Sequence, residues 1–252
     1  IYRLINHIFI LLKKELKLLK GYVITFISLS FLLPLFLYLF FSIPLSFVFT
    51  NIKPIYKVWT LPGICFISTI FMLFIILYPN IKEKINSEFL FTVPISYNNI
   101  LISIYLFSFV LSFVQFLLSF FLISSLNNQY IEVLDLLLMY IIMFPAVLFF
   151  TNFIIIFAIY VKNKLMNQFL FLSIFIFTSF GLGAFFPLNY YPESYLLLFK
   201  YFPLSCTILN IQKINAAESI YFSYYIISIV YSILITVITF IVFQNKIKDR
   251  LF

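Results

Sequence analysis

Between Tyr22 and Phe243 every Asp, Glu, Lys and Arg falls between long apolar runs or at their ends, and none falls inside one. An uncharged apolar run of about 20 residues is long enough to cross the ~30 Å hydrocarbon core of a bilayer as a helix. Composition agrees: 64% of the 252 residues are hydrophobic and 10% charged, where an ordinary globular chain is roughly a quarter charged. Hydrocarbon offers no partner to a free N–H or C=O, so spans are helices or closed barrels; unbroken runs select helices over alternating strands. The expected fold class is therefore an all-α polytopic membrane protein, one transmembrane domain over residues 1–252.

Six spans are expected: Tyr22–Phe41 (extended by a turn at Pro44 toward Phe49), Val58–Tyr78, Tyr97–Leu126, Leu136–Val161, Leu165–Pro187 and Tyr221–Phe243. Pro62 and Gly63 are expected to loosen the first turn of the second. Residues 1–20 read instead as an amphipathic interface helix. At about 100° per residue, Leu4, Ile5, Ile8, Phe9, Leu11, Leu12, Leu16, Leu18 and Leu19 fill one half of the wheel, and Arg3, Asn6, Lys13, Lys14, Lys17 and Lys20 the other. Such a helix lies in the headgroup plane with its basic face toward anionic lipid or an acidic partner. Glu15 breaks the pattern by falling in the apolar half. It either snorkels to water or contacts a protein partner or a neighbouring lysine.

Lys and Arg set the orientation. With the N-terminus inside, Arg3, Lys13, Lys14, Lys17, Lys20, Lys82, Lys84, Lys162, Lys164, Lys246, Lys248 and Arg250 face the cytoplasm; Lys53, Lys57, Lys200 and Lys213 face outward. The acids divide evenly, so the whole +8 net charge lies on one side. Both termini are expected to be cytoplasmic, with the first span acting as its own insertion signal. The basic balance then reflects topology and anionic lipid, and no nucleic-acid partner is expected.

Several chemistries lack their residues. Cys65 and Cys206 form no C-x-x-C or metal spacing, and His7 is the one histidine, so neither metal, redox nor triad chemistry has a residue set. No cofactor and no catalytic residue is expected in the chain. The 37 Phe reflect an AT-rich coding composition before they mark any aromatic path. Uncharged spans also argue against ion coupling and voltage sensing, which use intramembrane charge. Two polar stripes remain: Ser108, Ser112, Gln115 and Ser119 on the third span, and Ser228, Ser232, Thr236 and Thr239, extended by Tyr221 and Tyr225, on the sixth. They are either small-residue packing seams or the lining of a cavity. Residues 183–215, punctuated with the residues before them by Gly181, Gly183, Pro187, Pro192 and Pro203, are expected to form an outer re-entrant hairpin. It would serve as a gate or as an interfacial aromatic loop.

The order of parts resembles the ABC-2 type permeases, the membrane subunits of ABC exporters. Three stretches carry the resemblance: I-L-L-K-K-E-L-K-L-L-K (Ile10–Lys20), similar to the family's interface helix; S-E-F-L-F-T-V-P-I-S-Y-N-N-I-L (Ser87–Leu101), similar to its E-x-L-L-x-x-P-(V/I)-S signature; and G-A-F-F-P-L with Y-P-E-S and Y-F-P-L-S (Gly183–Ser205), similar to its hairpin between spans five and six. Phe89, Phe91 and Phe202 depart from the family pattern. The resemblance implies a homodimer in a bacterial or archaeal cytoplasmic membrane, each copy docked on a separate ATPase subunit that binds ATP and Mg. The chain has no G-x-x-x-x-G-K-[ST] loop of its own. Residues 80–97 would be the coupling helix loop, with Glu83, Lys84 and Glu88 making polar contacts, Phe89 and Leu90 as anchors, and Pro94 and Ser96 completing the signature. Lys13, Lys14, Glu15 and Lys17 would belong to the interface helix, Ser108, Ser112, Gln115 and Ser119 to a cavity. The implied function is outward movement of an apolar or amphipathic cargo: a lipid, a lipid-linked glycan or a hydrophobic drug. The alternatives are a non-transporting assembly or anchor subunit, a heme-exporter-like permease, and a lipid-modifying enzyme; the last lacks clustered ionisable groups.

Overall fold

The computed structural model describes residues 2–52, 54–86, 97–130, 132–161 and 163–248. Among them every regular element is helical. The helices are α1 (Tyr2–Leu18), α2 (Val23–Leu37), α3 (Ile43–Ser46), α4 (Tyr56–Trp59), α5 (Leu61–Asn86), α6 (Tyr97–Leu126), α7 (Val133–Tyr160), α8 (Lys164–Ile176), α9 (Glu193–Lys200), α10 (Pro203–Asn215) and α11 (Phe222–Lys248). Five helical runs are long and apolar enough to cross a membrane: Phe9–Ser46, Tyr56–Ile85, Asn98–Leu126, Val133–Tyr160 and Phe222–Lys246. The protein is a helical membrane protein.

α5 is the axis of the bundle. From Leu61 to Tyr78 it is uncharged on every side and almost wholly buried, the pattern of a helix with neighbours all round. α2, α6, α7, α8 and α10 pack on it, and α11 packs on α7 and α10 at the periphery. The first run ends at Ser46, within its expected extension toward Phe49, but it does not begin apart from the interface helix: a 3₁₀ turn (Leu19–Tyr22) joins α1 to α2, making Phe9–Ser46 one helical run, and a π turn (Tyr38–Ser42) joins α2 to α3. Pro44 has no N–H to offer the carbonyl four residues back, and the wider turn directly before it absorbs the missing bond.

The fifth expected span is shorter than its sequence suggests. Helix α8 and the π turn that ends it close at Gly181, not Pro187, leaving an apolar helix of 17 residues, about 26 Å at 1.5 Å per residue. Gly183, at φ +86°, turns the chain through the left-handed region, which a side chain resists. α8 nonetheless follows α5 antiparallel, from its C-terminal to its N-terminal end. Phe171 stacks on Phe74 and Phe71, Phe175 packs on Phe71, and Gly63 meets the chain just beyond the π turn. A Cβ at Gly63 would lie 2.6 Å from the Ala184 carbonyl oxygen. Gly63 therefore does not loosen α5, which is regular helix there; it lets another backbone lie directly against it.

Beyond Gly183, where a re-entrant hairpin is expected, α9 and α10 form a bent pair meeting at 88°. α9 has no buried residue, whereas α10 is buried on most sides, Cys206 and Ile208 completely. α9 is thus the exposed half of the pair and α10 the packed half. Tyr190, Tyr195 and Tyr201 are exposed, while α10 is wedged between α5, α7 and α11. Three polar side chains fix it there: Gln212 donates to the Gly183 carbonyl at 2.9 Å, Asn215 to the Val58 carbonyl at 2.7 Å, and Asn210 brackets the Tyr221 backbone in both directions.

Candidate functional site

The C-terminal end of α5 gathers the charges that the spans exclude. On α1 the side turned to the protein runs through Leu11 and Glu15, one turn apart, and leaves Phe9 and Ile10 exposed. Glu15 is only 1% exposed. Its carboxylate accepts from the Asn80 side-chain nitrogen at 2.6 Å and forms an ion pair with the Lys84 ammonium through its other oxygen. Asn80 and Lys84 stand four residues apart on one face of α5, so both reach the same carboxylate. A buried carboxylate is tolerated only when its lone pairs are met, and here two donors meet both oxygens.

The opposite face of the same turns is tied elsewhere. Tyr78 and Lys82 lie two positions from Asn80 and Lys84, about 200° around the helix. Lys82 donates to the Val161 carbonyl at 3.1 Å and to the Tyr78 hydroxyl at 3.2 Å, and Tyr78 donates to the same carbonyl at 3.2 Å. The last turns of α5 are therefore held by α1 on one side and by the end of α7 on the other. Glu83, between the two clamps, is exposed.

Beside this end runs a groove of about 570 Å³. Its walls are Phe74, Ile75, Tyr78 and Pro79 of α5 and Phe171 of α8; Lys82, Glu83, Asn167 and Gln168 give it a polar end. Pro79 supplies no N–H for the carbonyl one turn earlier on this side of α5.

The expected site residues separate into groups. Lys13, Lys14 and Lys17 are exposed while Glu15 alone of that set turns inward; its partner is a lysine, from another helix rather than its own. Glu88, Phe89, Leu90, Pro94 and Ser96 lie outside the described residues. Gly181 and Gly183 crowd Phe177 and Leu188, Pro187 and Pro192 precede short helical turns, and Pro203 opens α10. Ser108, Ser112, Gln115 and Ser119 are wholly buried and engaged in packing. Ser30 donates to Gln115 at 2.7 Å and Gln115 to Ser119 at 2.9 Å, which joins α2 to α6, while Ser112 lies 3.0 Å from the Tyr140 hydroxyl. None of the four lines a cavity described here. On α11, Ser228 donates to the Pro203 carbonyl at 3.0 Å.

Two polar residues carry weight that the sequence reading passed over. Asn80 completes the Glu15 clamp, and the signal was its four-residue spacing from Lys84. Asn152, buried in α7, accepts from Tyr105 of α6 at 2.5 Å and donates to Thr236 of α11 at 2.8 Å. It is the lone Asn of the helix, amid a long apolar stretch, and that placement is the available sign. No protein-family model matches the chain, no curated protein matches it, and no solved structure matches its fold.

Proposed function

We propose that the chain is the membrane permease subunit of an ATP-driven exporter of the ABC-2 type. It works as a homodimer in a bacterial or archaeal cytoplasmic membrane, and a separate ATPase subunit supplies the energy. The observation that carries the reading is the clamp of Glu15 on Asn80 and Lys84. It joins the basic N-terminal helix to the base of the central helix, two residues short of the stretch Ser87–Ser96 that resembles the family's coupling signature. A push on that stretch would move α1 and α5 as one unit, and with them α7 through Lys82 and Val161.

The uncharged spans give this body no ion gradient to draw on, so its power must enter at the inner face. The groove between α5 and α8 suits an apolar or amphipathic cargo, with aromatic walls and a polar inner end. A lipid, a lipid-linked glycan or a hydrophobic drug fits that chemistry, and the hairpin α9–α10 would close the outer end. Six crossings, with α8 as a short fifth, keep both basic termini in the cytoplasm.

The test is reconstitution with a candidate ABC ATPase subunit from the same cell. With wild-type permease, ATP hydrolysis should respond to cargo and cargo should move outward. The double substitution Glu88→Ala and Phe89→Ala should leave the assembled complex intact and reduce cargo-stimulated hydrolysis at least tenfold. Transport by the chain in proteoliposomes that contain no ATPase would end the proposal.

A further inference from the structure

A second cavity, of about 310 Å³, opens at the other end of the molecule, where the hairpin meets α4 and the start of α11. Two cations line it. Lys213 is held in place, its ammonium 3.0 Å from the Glu218 carboxylate and 3.9 Å from the centre of the Tyr221 ring. Lys200, the last residue of α9, lies beside the Tyr224 hydroxyl. Glu218 offsets one of the two charges, which leaves the cavity with one positive charge in excess. Trp59 and Tyr221 supply flat apolar walls, and the floor carries buried Gln212, whose side-chain oxygen meets no protein donor among the described residues.

We propose that this outer cavity binds the phosphate group of an anionic ester. Two lysines lining one cavity at the end of an apolar bundle match a phosphate oxygen set through charge-assisted bonds. The rings beside them match the carbon skeleton that the phosphate carries. A zwitterionic choline head fits less well, because its quaternary ammonium would face the excess positive charge. The phosphate can come from an outer-leaflet lipid or from a soluble phosphate ester. The exposed Tyr195 and Tyr201, with Leu197 and Leu198 on the open side of α9, place the cavity at the depth where aromatic side chains mark the headgroup layer. An occupant would touch α4, α9, α10 and α11 together and so brace the hairpin against the body. The inference does not depend on what powers the protein.

The chain provides its own reporter, since Trp59 is the single tryptophan of the sequence and lines the cavity. The full chain is placed in phosphatidylcholine nanodiscs with a rising fraction of phosphatidylglycerol, and Trp59 emission is followed. A saturable change is expected, and Lys200→Gln should weaken its half-saturation about tenfold, the effect of losing one charge-assisted contact. Lys200 sits on a helix that buries nothing, so this variant should keep its circular dichroism. Lys57→Gln, which removes the same charge from a lysine that does not line the cavity, should behave as wild type. A second series adds glycerol 3-phosphate to pure phosphatidylcholine discs; a change there that Lys200→Gln also weakens assigns the site to a soluble ester. No change in either series overturns the proposal. So does a phosphatidylglycerol response that Lys57→Gln weakens as much as Lys200→Gln, since that reports surface charge alone.

Discussion

Glu15 shows how far a single residue can be read. Its misplacement in the apolar half of α1 is visible in the sequence, because one acid among leucines has no polar surroundings to explain it. The sequence left open whether it would meet water, a partner or a lysine, because the answer depends on which helix lies alongside. The structure supplies Lys84 and Asn80, 65 or more positions away, and turns a blemish in the pattern into a joint. Lys84→Met should therefore destabilise strongly, by about 3 kcal/mol, since it leaves a carboxylate buried with one donor. Glu15→Gln should cost less, because the Lys84 side chain is 18% exposed and can turn toward water. The double variant should recover most of the loss. Thermal unfolding of the four proteins in detergent, followed by circular dichroism, gives the coupling; losses that simply add would mean the pair is not a joint.

At the scale of the helix, the long spans were legible because uncharged length is itself the signal. Their ends were less so. Hydropathy alone carries the fifth to Pro187, and it stops at Gly181 because the π turn and the left-handed Gly183 redirect the backbone, a conformational event that hydropathy does not register. The serine stripes were correctly placed on one face, and either a packing seam or a cavity would produce that spacing. Helix packing decides it: with four glycines in the whole chain, serine is what lets α2, α6 and α7 approach. Ser108 bonds within its own helix, to the Tyr105 carbonyl, whereas Asn152 links three helices. Ser108→Ala should then leave stability within about 0.5 kcal/mol. Asn152→Leu should cost about 1–2 kcal/mol, the scale of interhelical hydrogen bonds in membranes for two lost contacts. Unfolding midpoints of the two variants in the same detergent compare them directly, and equal shifts would contradict the assignment of Asn152 as a tie.

Across the whole molecule the open quantity is parity. Five long runs would carry the chain an odd number of times across the bilayer and leave Lys246, Lys248 and Arg250 outside, against the bias of basic residues to the cytoplasm. The even count proposed for this chain requires α8 to cross as well, and α8 runs alongside α5 in register. Asn167 lies at the level of Tyr78 and Lys82, Phe171 at that of Phe74, and Ala184 at that of Gly63. From Gly63 to Tyr78 the central helix rises about 23 Å, and the fifth segment descends through the same depth in the opposite sense. A helix that short can still cross if the bilayer thins locally or flanking residues reach for the interface, at a fraction of a kcal/mol per Å. In a background with Cys65 and Cys206 replaced by Ala, Tyr190→Cys should react with a membrane-impermeant maleimide in intact cells. Asn163→Cys and Asn245→Cys, at the starts of α8 and the end of α11, should react only after the membrane is opened. Labelling of Asn245→Cys in intact cells would make the count odd, detach the C-terminal charges from the cytoplasm and remove α8 from the set of crossings.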